Sequence, residues 1–180
     1  MKYPAFFTAL LFLLFTTACN KDDNPGNTGE ITLTSELYGS GPYYVMGYNF
    51  ALGKMVSTLD APGPDIVVLP ESSPDNSVVE SAYLSSDNLK DSFTHNKSFD
   101  DLASAEAFFN SYLEVDDAGG YTGIASDLAP YQVWTYRTNE NKYVKMLILK
   151  VTKEIRNDTP YAETTLRYVY QPDGSRTFPQ

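Results

Sequence analysis

The chain has 180 residues with 13 Lys and Arg against 23 Asp and Glu, a formal net charge of −10. A surface this acidic argues against nucleic-acid binding, which needs a basic footprint. With a single Cys the chain has no intramolecular disulfide, and its 14 Tyr and 10 Phe favour strands and an aromatic core.

The first 18 residues read as a cleavable signal peptide, with Lys2 followed by an apolar run from Ala5 to Ala18 that is shorter than the roughly 20 residues a membrane-spanning helix needs. The run ends in Thr17-Ala18-Cys19, which resembles the lipobox of bacterial lipoproteins, where the cysteine becomes the lipid-bearing N-terminus. Residues 19–29 follow as a polar, turn-rich tether. Within it Lys21, Asp22 and Asp23 resemble the signal that sends lipoproteins of some Gram-negative bacteria to the cell surface. The expectation is a protein anchored by lipid in the outer membrane and facing outward, with residues 30–180 as one domain.

Residues 30–37 alternate, with Ile31, Leu33, Ser35 and Leu37 on one face, as a half-buried strand does. Residues 43–51 form an aromatic strand with Tyr44, Met46, Tyr48 and Phe50 on one face, and Gly53-Lys54 turns it into a strand at 55–59. Four prolines between residues 60 and 76 leave room only for a short edge strand at 66–69. Another short strand fits residues 78–84, followed by a polar loop at 85–97.

Leu102, Ala105, Phe109 and Tyr112 recur at helical steps, with Phe108 and Leu113 widening the stripe, so a helix is expected over about 100–114, capped by Ser98 or Asp100. Residues 131–138, 143–152 and 161–171 then read as an antiparallel meander. In its middle strand Leu147, Leu149 and Val151 face one way and Val144, Met146 and Ile148 the other, which places it between two layers. The fold expected is mostly β, an antiparallel β-sandwich or open barrel with one short α-helix.

Two segments carry a family resemblance. Tyr43-Tyr44-Val45-Met46-Gly47-Tyr48-Asn49-Phe50 with Gly53-Lys54-Met55-Val56, and Tyr143-Val144-Lys145-Met146 with Thr165-Leu166-Arg167-Tyr168-Val169-Tyr170, resemble the HmuY-like family of surface lipoproteins. That resemblance implies an all-β fold and, for characterised members, haem bound through two axial His or Met side chains from the middle of the domain. This chain departs from the pattern: His95 is its one histidine, no methionine lies between residues 62 and 129, and bis-His ligation within one chain is excluded.

His95 is a candidate axial ligand, since neutral imidazole is the usual proximal ligand of haem iron, and equally a solvated loop side chain. Tyr43, Tyr44, Trp134 and Tyr136 are candidates for a stacking platform under a sugar or a porphyrin, or else for cross-strand core pairs. Asp100-Asp101 and Asp116-Asp117 lack the spacing of a calcium loop. There is no Gly-x-Ser-x-Gly elbow, no paired metal-ligand spacing and no phosphate-cradling loop, so no enzyme is expected. The expected function is capture of a small ligand, with haem as the specific cargo. The rivals are a glycan-binding or adhesive lipoprotein and a structural subunit of an outer-membrane transporter.

Overall fold

The computed structural model describes residues 27–38, 44–86, 90–116 and 119–179. Cys19, Lys21, Asp22, Asp23 and Tyr43 lie outside the described residues. Among the described residues the nine strands are β1 (Thr28–Thr34), β2 (Met46–Asn49), β3 (Lys54–Ser57), β4 (Val67–Ser72), β5 (Val79–Ser85), β6 (Phe93–Ser98), β7 (Gln132–Arg137), β8 (Tyr143–Arg156) and β9 (Thr159–Gln171), with helix α1 (Leu102–Ser111) between β6 and β7. The protein is therefore mostly β with one short helix, as its alternating aromatic and aliphatic runs require.

An antiparallel sheet of five strands, ordered β1-β9-β8-β7-β6, is the backbone of the fold. Two hairpins, β2-β3 and β4-β5, cover one face, and single bridges join them into a second wall: Tyr48 to Ile66, Leu84 to Ala125, and Phe93 to Thr122. The segment from Thr122 to Ala125 thus links β5 to β6, and the two walls curve into an open barrel. Its interior is aromatic: Tyr48 and Phe50 pack on Tyr168, and Phe50 and Phe93 pack on Tyr136, with ring centroids 5.1–6.0 Å apart.

Helix α1 covers the opposite face of the sheet, burying Ala105 and Phe109 against Val133 of β7 and Leu147 of β8. Its N-cap is Asp101, whose carboxylate accepts the Ser104 N–H at 2.9 Å, so the cap is neither Ser98 nor Asp100 but the residue after Asp100. At the other end Lys145 is 2% exposed, and its Nζ donates to the carbonyls of Phe109 and Tyr112 at 2.8 and 2.9 Å. Lys145 is thus a cation set against carbonyls at a helix C-terminus, and burial lowers its pKa.

Several expectations need correction. β1 begins at Thr28, two positions inside the expected tether, because residues 28 to 34 pair with 169 to 163 of β9. Leu37, placed on the core face, is 45% exposed beyond the end of β1, and Met46 is exposed beside buried Tyr48. The polar loop expected at 85–97 contains β6, which pairs with β7 and holds Phe93 in the core. The connection expected between the strands at 143–152 and 161–171 shrinks to Asn157 and Asp158, both at positive φ (50° and 59°), the geometry of a two-residue hairpin turn.

One correction concerns side-chain direction. Ile148 faces Leu166 and Lys150 faces Thr165, so Leu149 is an extra residue on β8. The alternation slips by one there, and Val151 packs on the barrel core with Ile148, while Leu147 and Leu149 pack under the helix.

Candidate functional site

His95 lies on β6 opposite Trp134 of β7, with ring centroids 4.8 Å apart. The imidazole is exposed, its Nε2 is 2.9 Å from Ser98 Oγ, and desolvation lowers its pKa so that it is neutral at physiological pH. Trp134 and Tyr136 alternate with residues under the helix and point into the barrel at 5% and 1% exposure. Trp134 Nε1 donates to Gln132 Oε1 at 3.0 Å, and Tyr136 OH lies 2.9 Å from Ser86 Oγ. The stacking platform therefore does not form from these rings: they are core, because the pleat turns every second residue of β7 inward. Tyr44 is half-buried against Tyr38.

The site with converging polar chemistry lies elsewhere, at the end of the barrel where the β2-β3 turn, the proline loop before β4 and the β7-β8 turn meet. It is a cleft of about 310 Å³, within the usual range of small-molecule sites. Asn49, at the end of β2, holds two of these segments together: its Nδ2 donates to the Gly63 carbonyl at 2.8 Å and its Oδ1 accepts the Leu52 N–H at 2.9 Å. Gly47 permits the close approach, since a Cβ there would lie 2.4 Å from the Ile66 carbonyl oxygen and 2.5 Å from Pro64 Cβ.

The third wall is ordered by Thr138, whose hydroxyl accepts the Lys142 N–H at 3.1 Å and whose own N–H donates to the Lys142 carbonyl at 2.9 Å. Asn141, at φ 57°, takes the left-handed position that the turn requires. These bonds bring Glu140 and Lys142 together as an ion pair of 2.6 Å at the rim. Tyr136 and Tyr170 form the floor.

Asp65 is the group the cleft is built around. Its Oδ2 accepts the Phe50 N–H at 2.8 Å, and its other oxygen has no hydrogen-bond partner among the described residues. Burial pushes its pKa up to about 6; the Phe50 N–H pulls the other way, Glu140 adds to the rise, and Lys142 opposes it. Tyr170 is also raised by burial, with Lys142 opposing. A carboxyl group that titrates near neutrality inside a cleft is the local chemistry expected of a functional site.

A second cleft, of about 470 Å³, is lined by Phe109, Leu113, Lys145 and Val169, but its cation is already bonded to two helix carbonyls. His95 lines neither cleft. Among the described residues no group of three or more His, Cys, Asp or Glu is placed to hold a metal ion, and no helix is long and apolar enough to cross a membrane. No protein-family model matches this chain, and no curated protein matches it.

Asp65, Glu140, Lys142 and Tyr170 were not among the site residues read from the sequence. The one signal pointing to Asp65 is an acid wedged between Pro64 and the apolar run 66–69, a position where a solvated carboxylate is out of place.

Proposed function

We propose that this chain is a non-enzymatic lipoprotein, anchored through Cys19 on the outer surface of the outer membrane, whose HmuY-like β domain captures a small molecule in the Asp65 cleft. The observation that carries the ligand site is the partly buried Asp65 carboxylate, one oxygen of which lines the cleft with no hydrogen-bond partner among the described residues. That oxygen can accept a hydrogen bond from a bound donor without breaking any contact within the fold. The lipobox-like Thr17-Ala18-Cys19, the single cysteine and the acidic composition support the anchored, extracellular setting.

Haem is the second reading, and what favours it is His95, an exposed and neutral imidazole. The Asp65 cleft itself is lined by no His, Met or Cys. Capture of a glycan by ring stacking has no support from Trp134, which is buried.

The test is an NMR titration of the isotopically labelled chain from residue 20 onward, against haemin, monosaccharides and small polar metabolites. Saturable shifts at Asn49, Asp65 and Lys142, lost in Asp65→Asn, support the cleft. A Soret band that disappears in His95→Ala moves the function to β6 and makes haem the cargo. If no compound saturates anywhere on the domain, capture of a small molecule is wrong. Mass spectrometry of the mature protein from its native host tests the anchor by looking for a diacylglyceryl adduct on Cys19.

A further inference from the structure

The cleft has a chemical bias that narrows its ligand. On the side of the proline loop one N–H of the Asn49 amide is taken by the Gly63 carbonyl, and the Asp65 N–H by the Tyr48 carbonyl at 2.9 Å. Pro62 and Pro64 have no N–H to offer. Glu140 and Lys142 neutralise each other at 2.6 Å, so the charge left over in the cleft is that of Asp65. Tyr136 and Tyr170 are 1% and 3% exposed, so neither presents a ring face on which a sugar or an aromatic ligand would stack. A cleft with one surplus negative charge, on a chain of net charge −10, complements a cation.

We propose that the cleft binds a small molecule through a primary ammonium group, which donates to the unpaired oxygen of Asp65 while the aliphatic stem lies along Pro62, Pro64 and Leu52. This rests on the Asp65 cleft being the ligand site. The ammonium replaces its hydration with a charge-assisted hydrogen bond to a carboxylate already fixed by the Phe50 N–H. Glu140 and Lys142 of the β7-β8 turn and the Tyr170 hydroxyl of β9 are the titratable groups that face Asp65. Glu140 and Lys142 hold their charges as a pair, with the Glu140 pKa lowered and the Lys142 pKa raised, so Asp65 alone among them changes charge between pH 5 and 7. Binding then weakens on acidification, by roughly tenfold per pH unit below about 6, as linkage to one proton requires.

The probe is 1,4-diaminobutane, with 1,4-butanediol and glucose as neutral counterparts, titrated calorimetrically and by NMR into the chain from residue 20 onward. The diamine is expected to bind at pH 7.5 with shifts at Asn49, Asp65 and Lys142. Asp65→Asn is expected to weaken it about tenfold or more, the scale of one charge-assisted hydrogen bond. Ala51→Lys supplies a fixed ammonium at the exposed rim and is expected to compete without altering Asp65, which separates loss of the site from loss of the fold. If glucose or the diol binds the cleft as tightly as the diamine, or if diamine binding is unchanged at pH 5, the ammonium inference is overturned while the cleft stands as a ligand site. If the diamine does not bind at pH 7.5, the inference also falls, and the broader titration decides the cleft.

Discussion

The hydroxyl oxygens of Tyr48 and Tyr168 lie 2.6 Å apart inside the barrel, joining the β2-β3 hairpin to the main sheet across 120 residues of sequence. Both rings are nearly sealed from solvent, at 5% and 2% exposure, and burial with the Tyr48 contact raises the Tyr168 pKa. Tyr48→Phe or Tyr168→Phe alone leaves the other hydroxyl buried and unpaired, a cost of roughly 1–3 kcal/mol. The double substitution removes both polar groups and is expected to cost less than the two singles added. A denaturant double-mutant cycle reads this directly, and strict additivity would show that the two hydroxyls are not coupled.

Asp65 makes stability depend on pH with a definite sign. Its pKa rises from 3.8 to about 6 on folding, so the folded state holds the proton more tightly than the unfolded one. The stabilisation is fully present below pH 3.8 and is lost as pH rises through about 6. Above that the ionised group is a net burden on the order of 2–3 kcal/mol. Asp65→Asn is therefore expected to raise the urea midpoint at pH 7.5 and leave it nearly unchanged at pH 3.5. A variant less stable than the parent at pH 7.5 would contradict this account.

Gly47→Ala is expected to be among the most damaging single-methyl changes in the chain. The added Cβ would sit 2.4 Å from the Ile66 carbonyl oxygen and 2.6 Å from Val67 Cγ1, neither of which is the end of a long flexible side chain. Relief requires the β2-β3 hairpin to lift away from the segment carrying Asp65, at a cost of roughly 1–3 kcal/mol. Thermal melts measure that loss, and the cleft titration is expected to weaken in parallel.

At the β8-β9 turn the prediction is a gain. Asp158 adopts φ 59°, a region that glycine occupies without strain, and Asn-Gly is the preferred pair for this turn. Asp158→Gly is expected to stabilise the domain by roughly 0.5 kcal/mol, whereas Asp158→Val is expected to destabilise it. Chemical denaturation of the two variants is the check.

The parts of this fold written in local pattern were legible in the sequence: the alternation of Leu166, Tyr168 and Tyr170, the helical spacing of Ala105 and Phe109, and the Gly53-Lys54 turn. What was not legible depended on single insertions or on distant partners. Leu149 reverses the facing of Val151 through one extra residue, which a period-two reading cannot detect. β6 was read as a loop because it is an edge strand rich in polar side chains, with a bulge between His95 and Lys97 that breaks its alternation. The cleft was hidden for a related reason: Asp65, Lys142 and Tyr170 sit far apart in sequence, and only closure of the barrel end brings them to one place.

The pairing of β1 with β9 also sets how the domain bears load. Seven residue pairs run antiparallel from Thr28 to Thr34, and the Asn27 carbonyl accepts the Tyr170 N–H at 2.6 Å just ahead of them. A pull on the chain ahead of Thr28 along the strand axis loads this ladder in shear, so its hydrogen bonds share the force instead of opening one by one. Under the anchoring proposed above, drag along that axis would meet all seven pairs at once before it reached the rest of the domain.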